Sequence, residues 1–200
     1  MLIAGIDASY RNQTAIGVGV VCKYPEGSII EKKTVLIPEK KLFPYIPGLL
    51  FLKEGPLIIN IINRFETKPH VIFVNGHGKA HPTGFGLAVF VEEMTAIPTI
   101  GCAKEVLVGK FKDFNHLRGK FAYVVYKNKK IGIALCTKDN TKPLIISSGG
   151  KFKLKELYSI CISTTTTTRW PYPLYLADKE SKALFQNKIG HSLNYSIYRP

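Results

Sequence analysis

Between Pro44 and Glu54 the chain reads Pro-Tyr-Ile-Pro-Gly-Leu-Leu-Phe-Leu-Lys-Glu, a stiff aromatic turn followed closely by a carboxylate. Two prolines fix φ on either side of Tyr45-Ile46, and Gly48 frees the next position. The Tyr45 phenol is therefore held out on a rigid loop instead of collapsing inward. A rigid aromatic beside an acid suits chemistry in which a base is levered from a duplex and the neighbouring backbone is attacked. The plainer reading of the same residues is a proline-bounded turn ahead of a buried helix.

The elements that must position these groups can be read from periodicity. Leu2 to Ile6 is an apolar strand that ends at Asp7, and Ala15 to Tyr24 and Ser28 to Ile37 complete an antiparallel meander around the turn Pro25-Glu26-Gly27. Leu49 to Phe65 has helical length, with Gly55-Pro56 predicting a break or a second initiation. Val71 to Val74 is an unbroken apolar run, as in a buried strand, and runs into the sharp turn Asn75-Gly76-His77-Gly78. A helix over Phe85 to Met94 and a strand over Pro98 to Cys102 follow. Lys120 to Tyr126 and Ile131 to Cys136 form a hairpin, Leu144 to Ile146 another buried strand, and Lys153 to Ile162 a helix closed by the threonine run Thr164 to Thr168. The polar, aromatic tail from about Lys188 has no assignable structure. The order describes one α/β domain over residues 1–200, with a mixed central β-sheet flanked by helices. In such sheets chemistry gathers where strands end, here at Asp7, Asn75 and Gly149-Gly150.

Composition points to the class of partner. The chain carries 28 Lys and Arg against 14 Asp and Glu, a formal charge of +14. Such an excess favours a polyanion, because each cation set against a phosphate releases a condensed counterion. No apolar run reaches the roughly 18 residues of a membrane span, so no membrane partner is expected. The chain opens as a strand without a basic leader, so no secretory signal is expected. Cys22, Cys102, Cys136 and Cys161 are widely separated in apolar surroundings, as in a protein of the reducing cytoplasm, and their spacing argues against zinc.

Five ordered segments resemble the endonuclease V (deoxyinosine 3′ endonuclease) family. They are Ile6-Asp7-Ala8-Ser9-Tyr10, Pro44 to Glu54, Val74 to Pro82, Pro98 to Lys104, and Arg169-Trp170-Pro171 through Ala177-Asp178. The resemblance implies a ribonuclease H-like fold and a Mg²⁺-dependent endonuclease, with Mn²⁺ as the alternative ion. The partner would be DNA or RNA containing inosine, cut at the second phosphodiester bond on its 3′ side, and the protein is expected to be a monomer. Carried over position by position, Asp7 and Glu54 match metal-binding carboxylates, and Lys104 matches the lysine beside the scissile phosphate. Tyr45, with Pro44, Ile46 and Pro47, matches the wedge that fills the gap left by the flipped base. Gly48, Leu50, Gly76, His81, Gly86 and Leu107 fall where the family builds its base pocket.

Several positions depart from that pattern. The family's second aspartate falls at Asn75, a histidine expected after the last buried strand falls at Gly150, and a histidine in the helix after the Gly-rich turn falls at Phe90. Asn75 can still offer a neutral carbonyl oxygen to a hard cation held by Asp7 and Glu54, but with about two negative charges instead of three the ion should bind less tightly. Gly150 has no side chain to act as acid or base. The sequence thus leaves two readings: a nuclease with weakened activity, or a homologue that binds modified or flipped nucleotides without cutting. A scaffold with a basic surface is a third, weaker reading. His77 and His81 either brace the Gly-rich turn or contact nucleic acid.

Overall fold

The computed structural model describes residues 1–166 and 168–187. Eight strands form one mixed sheet: β1 (Leu2–Arg11), β2 (Thr14–Lys23), β3 (Ile29–Pro38), β4 (Val71–Asn75), β5 (Thr99–Ala103), β6 (Phe121–Tyr126), β7 (Lys129–Leu135) and β8 (Leu144–Ser148). Their spatial order is β3-β2-β1-β4-β5-β8-β7-β6. β1 runs parallel to β4 and β4 to β5, while every other pair is antiparallel.

Four helices cover the sheet: α1 (Leu50–Ile62), α2 (Leu87–Thr95), α3 (Leu154–Thr164) and α4 (Tyr172–Asn187). Side-chain alternation along β1 sorts them onto two faces. Ala4 and Ile6 pack with α1 and α2 residues such as Leu57, Ile61 and Val91. Ile3 packs with Leu157 and Cys161 of α3 and Leu174 of α4. Ala177 of α4 closes over Ile16 and Val18 of β2. All four cysteines are free and buried.

The structure corrects three expectations. β1 does not end at Asp7: it continues to Arg11, and Asp7 is paired with Val18. The hairpin closes instead on Asn12 and Gln13, both with positive φ, the two-residue turn whose twist matches the flanking strands. α1 is not broken at Gly55-Pro56, and it ends at Ile62, short of Phe65. An interior proline costs roughly 3 kcal/mol. Leu57, Ile58, Ile61 and Ile62 are all buried downstream of it, and each fully buried aliphatic side chain is worth about 1.5–3 kcal/mol, so packing wins. Finally, the proline-rich segment after Arg169 becomes the long helix α4, which sequence reading did not assign. The threonine run does close α3, where Thr164 and Thr165 hydroxyls donate back to the carbonyls of Ile160 and Cys161. The stretch from Lys188 lies outside the described residues.

The seat of α4 depends on one glycine. A Cβ on Gly5 would lie 2.1 Å from the Leu174 nitrogen, so only a bare backbone lets the first turn of α4 rest on β1. Gly5→Ala should therefore destabilise the fold by about 3 kcal/mol, measured as a loss of urea midpoint at unchanged slope. A loss under about 0.5 kcal/mol would show that α4 is not seated there.

Candidate active site and base pocket

Asp7 is buried on the face of β1 that α4 covers, with 2% of its surface exposed. Three groups satisfy its carboxylate. The Asn75 amide donates to Oδ1 at 3.1 Å, and the Ser181 and Ser9 hydroxyls approach Oδ2 at 3.0 and 3.3 Å. Ser9 and Ser181 also lie 2.9 Å apart. Burial raises the Asp7 pKa and the nearby Asp178 charge raises it further, against the lowering effect of these hydrogen bonds.

Glu54 reaches the same region from α1. Its pKa is pushed up to about 8, chiefly by burial and then by the charge on Asp7, with Lys53 opposing. The acid on the first strand and the acid beyond the tyrosine turn therefore feel one another, although they arise from elements on opposite faces of the sheet. Tyr10 stands beside Glu54. Burial and the charges of Glu54, Glu39 and Asp7 raise its pKa, yet its hydroxyl is buried without a well-formed hydrogen bond. The Lys53 ammonium sits 4.2 Å over the Tyr10 ring and pairs with Glu39 at 2.6 Å. Lys104 is exposed just past β5; because Asn75 pairs with Cys102, it emerges at the same end of the sheet as Asn75.

Among the described residues no three His, Cys, Asp or Glu side chains converge to ligate an ion by themselves. The donor set still fits Mg²⁺, which is commonly held by one or two carboxylates with water and substrate phosphate filling its octahedron. Asp7 and Glu54 would supply the carboxylates. Asn75 donates its N–H to Asp7, so half a turn of its amide would be needed to present its oxygen.

Sequence reading missed Asp178 and Ser181. The signal was available: Leu174, Ala177 and Ser181 are all fully or almost fully buried and share one helical stripe. That stripe seats α4 against β1 and leaves Asp178 one turn from Ser181. Asp178 also pairs with Lys182 at 2.7 Å. Gly150, in contrast, does not point at this cluster. A Cβ there would lie 2.9 Å from Glu92 Oε1, and Glu92 already caps the backbone N–H groups of Thr99 and Lys151. Phe90 stacks on Phe51 at 5.6 Å and fills the space above Gly55, behind Glu54.

A second feature lies against the start of α1. Tyr45, Gly48, Leu50, Phe51, His77, His81, Gly86, Leu87 and Leu107 line a cavity of about 220 Å³. Five of the six predicted pocket residues are in its lining. The sixth, Gly76, backs it: a Cβ there would press on Leu87 and reach Leu50. Ile46 to Leu49 make a tight turn with Pro47 and Gly48 at its centre, closed by the Leu49 N–H on the Ile46 carbonyl at 2.9 Å, with Gly48 at φ +80°. Pro44, Tyr45, Ile46 and Pro47 are exposed, Tyr45 at 60%. His81 Nε2 lies 2.9 Å from the Gly48 carbonyl, so it must donate, and Nδ1 is left to accept from the Thr83 hydroxyl at 2.9 Å. His77 donates to the Glu105 carbonyl at 3.0 Å, and burial lowers its pKa. Both histidines thus brace the loops that wall the cavity.

A mixed eight-stranded sheet flanked by helices, with two mutually interacting acids near its centre, is the ribonuclease H-like architecture. The sequence matches the endonuclease V family over residues 1–179, and the chain belongs to that family. It is 36% identical over 191 residues to endonuclease V of Dictyoglomus thermophilum, spanning 96% of this chain and 83% of that one. The fold matches crystal structures of endonuclease V from Bacillus subtilis (TM-score 0.88, 29% identity, 94% of this chain and 83% of that one) and Streptomyces avermitilis (0.87, 26%, 95% and 83%). Endonuclease V of Ciona intestinalis, seen with a DNA containing inosine followed by a ribo-adenosine, shares the fold at TM-score 0.78 and 23% identity, over 94% of this chain and 87% of that one.

The raised Glu54 pKa has a measurable consequence. Without metal, the cost of ionising this buried acid begins at its ordinary pKa of 4.5 and is complete above about 8. Stability from the protonated form is thus present at low pH and lost as pH rises through that window. Glu54→Gln should gain about 2 kcal/mol relative to wild type between pH 5 and pH 9 in EDTA. Parallel melting curves at both pH values would show that Glu54 is solvated.

Proposed function

We propose that this protein is a metal-dependent endonuclease that cuts DNA or RNA near inosine, at the second phosphodiester bond on the 3′ side, with activity reduced by Asn75. The observation that carries the reading is that buried Asp7 and Glu54 feel one another's charge, while the helix that carries Glu54 also walls, through Leu50 and Phe51, a cavity of about 220 Å³. Family membership and the inosine-containing DNA bound by the Ciona relative support the substrate class.

The roles follow from position. Asp7 and Glu54, assisted by Asn75, would hold Mg²⁺ or Mn²⁺, which would supply an activated water and neutralise charge on the leaving oxygen. Their raised pKa values favour a cation, whose charge would relieve the repulsion between them. Asp178 adds negative potential behind Asp7, and Ser181 fixes the Asp7 rotamer. Lys104, exposed at that end of the sheet, steadies a phosphate. The flipped base enters the cavity walled by Gly48, Leu50, Gly86, Leu107 and the braced His81, while Tyr45 stacks in the gap. Gly150 removes nothing from this machinery, because a side chain there would face Glu92. One observation favours the non-cutting alternative: the Asn75 amide already satisfies Asp7 without a metal.

Cleavage of an inosine-containing strand with Mg²⁺ or Mn²⁺ tests the choice. Wild type should cut and Asp7→Ala should not. Asn75→Asp should raise the rate roughly tenfold by restoring a third charge, whereas Gly150→His should change it less than twofold. Tight binding without cutting by wild type and Asn75→Asp alike would select the binding module. Tyr45→Ala should weaken preference for inosine over a plain strand more than overall affinity.

A further inference from the structure

The acids lie between two depressions. The base cavity opens on the side of α1 and α2. On the α4 side, Ser9, Tyr10 and Arg11 of β1 and Lys182, Phe185 and Gln186 of α4 line an open groove of about 440 Å³. We propose that this groove carries the nucleic-acid strand beyond the scissile phosphate, on its 3′ side, away from the flipped base. This rests on the nuclease reading above and extends it by naming the surface that holds the departing product strand.

Continuity with the site is the first argument. Ser9 lines the groove and also approaches Asp7 at 3.3 Å and Ser181 at 2.9 Å. Tyr10 lines it and stands beside Glu54. The groove thus meets the Asp7 cluster at Ser9, and Glu54 stands across β1 beside the Tyr10 ring. The base cavity and the groove are walled by helices from opposite faces of the sheet, and a strand reaching from one to the other would pass round the end of β4 at Asn75, beside Asp7. That path accounts for a cut displaced from the recognised base.

Charge and shape agree. Arg11 is exposed at the hairpin end with no ion pair among the described residues, and it faces a groove open enough for a polymer. The Lys182 side chain is 61% exposed, and its one ion pair, with Asp178, lies on the same helix four residues away. Such a pair is weak, so a phosphate can compete for the ammonium. Between these cations Phe185 packs on the β2 core and offers an apolar floor for a sugar or base.

Fluorescence anisotropy on the full chain in EDTA tests the assignment. The probes are single strands with one inosine and equal 5′ flanks, ending either one or eight nucleotides 3′ of it. A matched pair is varied on the 5′ side. Wild type should bind the 3′-extended strand about tenfold more tightly than the short one. The surface variant Arg11→Glu, Gln186→Glu should lose that gain and keep short-strand affinity within twofold. Its salt slope should be shallower by roughly 0.7 for each phosphate no longer held. Equal losses on both strands, a gain from 5′ extension alone, or no effect of length would overturn the proposal. Loss of preference for inosine over adenosine with the 3′ gain intact would count against the inosine reading and leave the groove standing.

Discussion

A buried carboxylate in the middle of a strand must be satisfied, and that requirement organises this molecule around Asp7. Ionised carboxylates are expensive to desolvate unless hydrogen bonds or a cation answer them. The answer comes from three places in the chain: Ser9 on the same strand, Asn75 on the neighbouring parallel strand, and Ser181 on α4. Each demands a different piece of architecture. Asn75 requires the β1–β4 register, and Ser181 requires α4 to lie flat on β1, which Gly5 alone permits. Glu54 then arrives from the other face, where Lys53 and the Tyr10 hydroxyl only partly offset its burial and its repulsion with Asp7.

Much of this was legible in the sequence. Apolar runs and turn chemistry gave nearly every strand, because period-two burial and Gly, Pro and Asn punctuation are local signals. The Tyr45 turn was legible because the backbone demands of Pro44, Pro47 and Gly48 are written in residue type, whereas the pocket positions came only from the family resemblance. What escaped was non-local. Asp7 looked like a strand terminus because a charged residue normally marks the edge of burial, and only the partners contributed by β4 and α4 let it sit mid-strand. α4 escaped because Pro171 and Pro173 read as breakers, although proline is tolerated in a helix's first turn. With α4 unassigned, Asp178 and Ser181 could not be placed in the site. Gly150 was counted as an active-site loss from the family resemblance, and its neighbour in space is Glu92.

The altered positions now separate by consequence. Asn75, where the resemblance leads one to expect an aspartate, donates to Asp7 and brings no charge of its own. Phe90 exchanges a polar side chain for aromatic packing against Phe51 and Gly55, which stiffens the wall behind Glu54. Gly150 lies in a loop fastened by Glu92.

The distance along the chain between Asp7 and Ser181 also bears on biosynthesis. Domains assemble as their residues leave the ribosome, and contacts between distant segments form last. β1 is among the first elements to emerge and α4 is the last of the described ones. A nascent chain therefore carries its lysines, its aromatic turn and most of its sheet before its principal acid is fastened. During translation the Asp7 carboxylate thus waits for its Ser181 partner until the closing helix arrives.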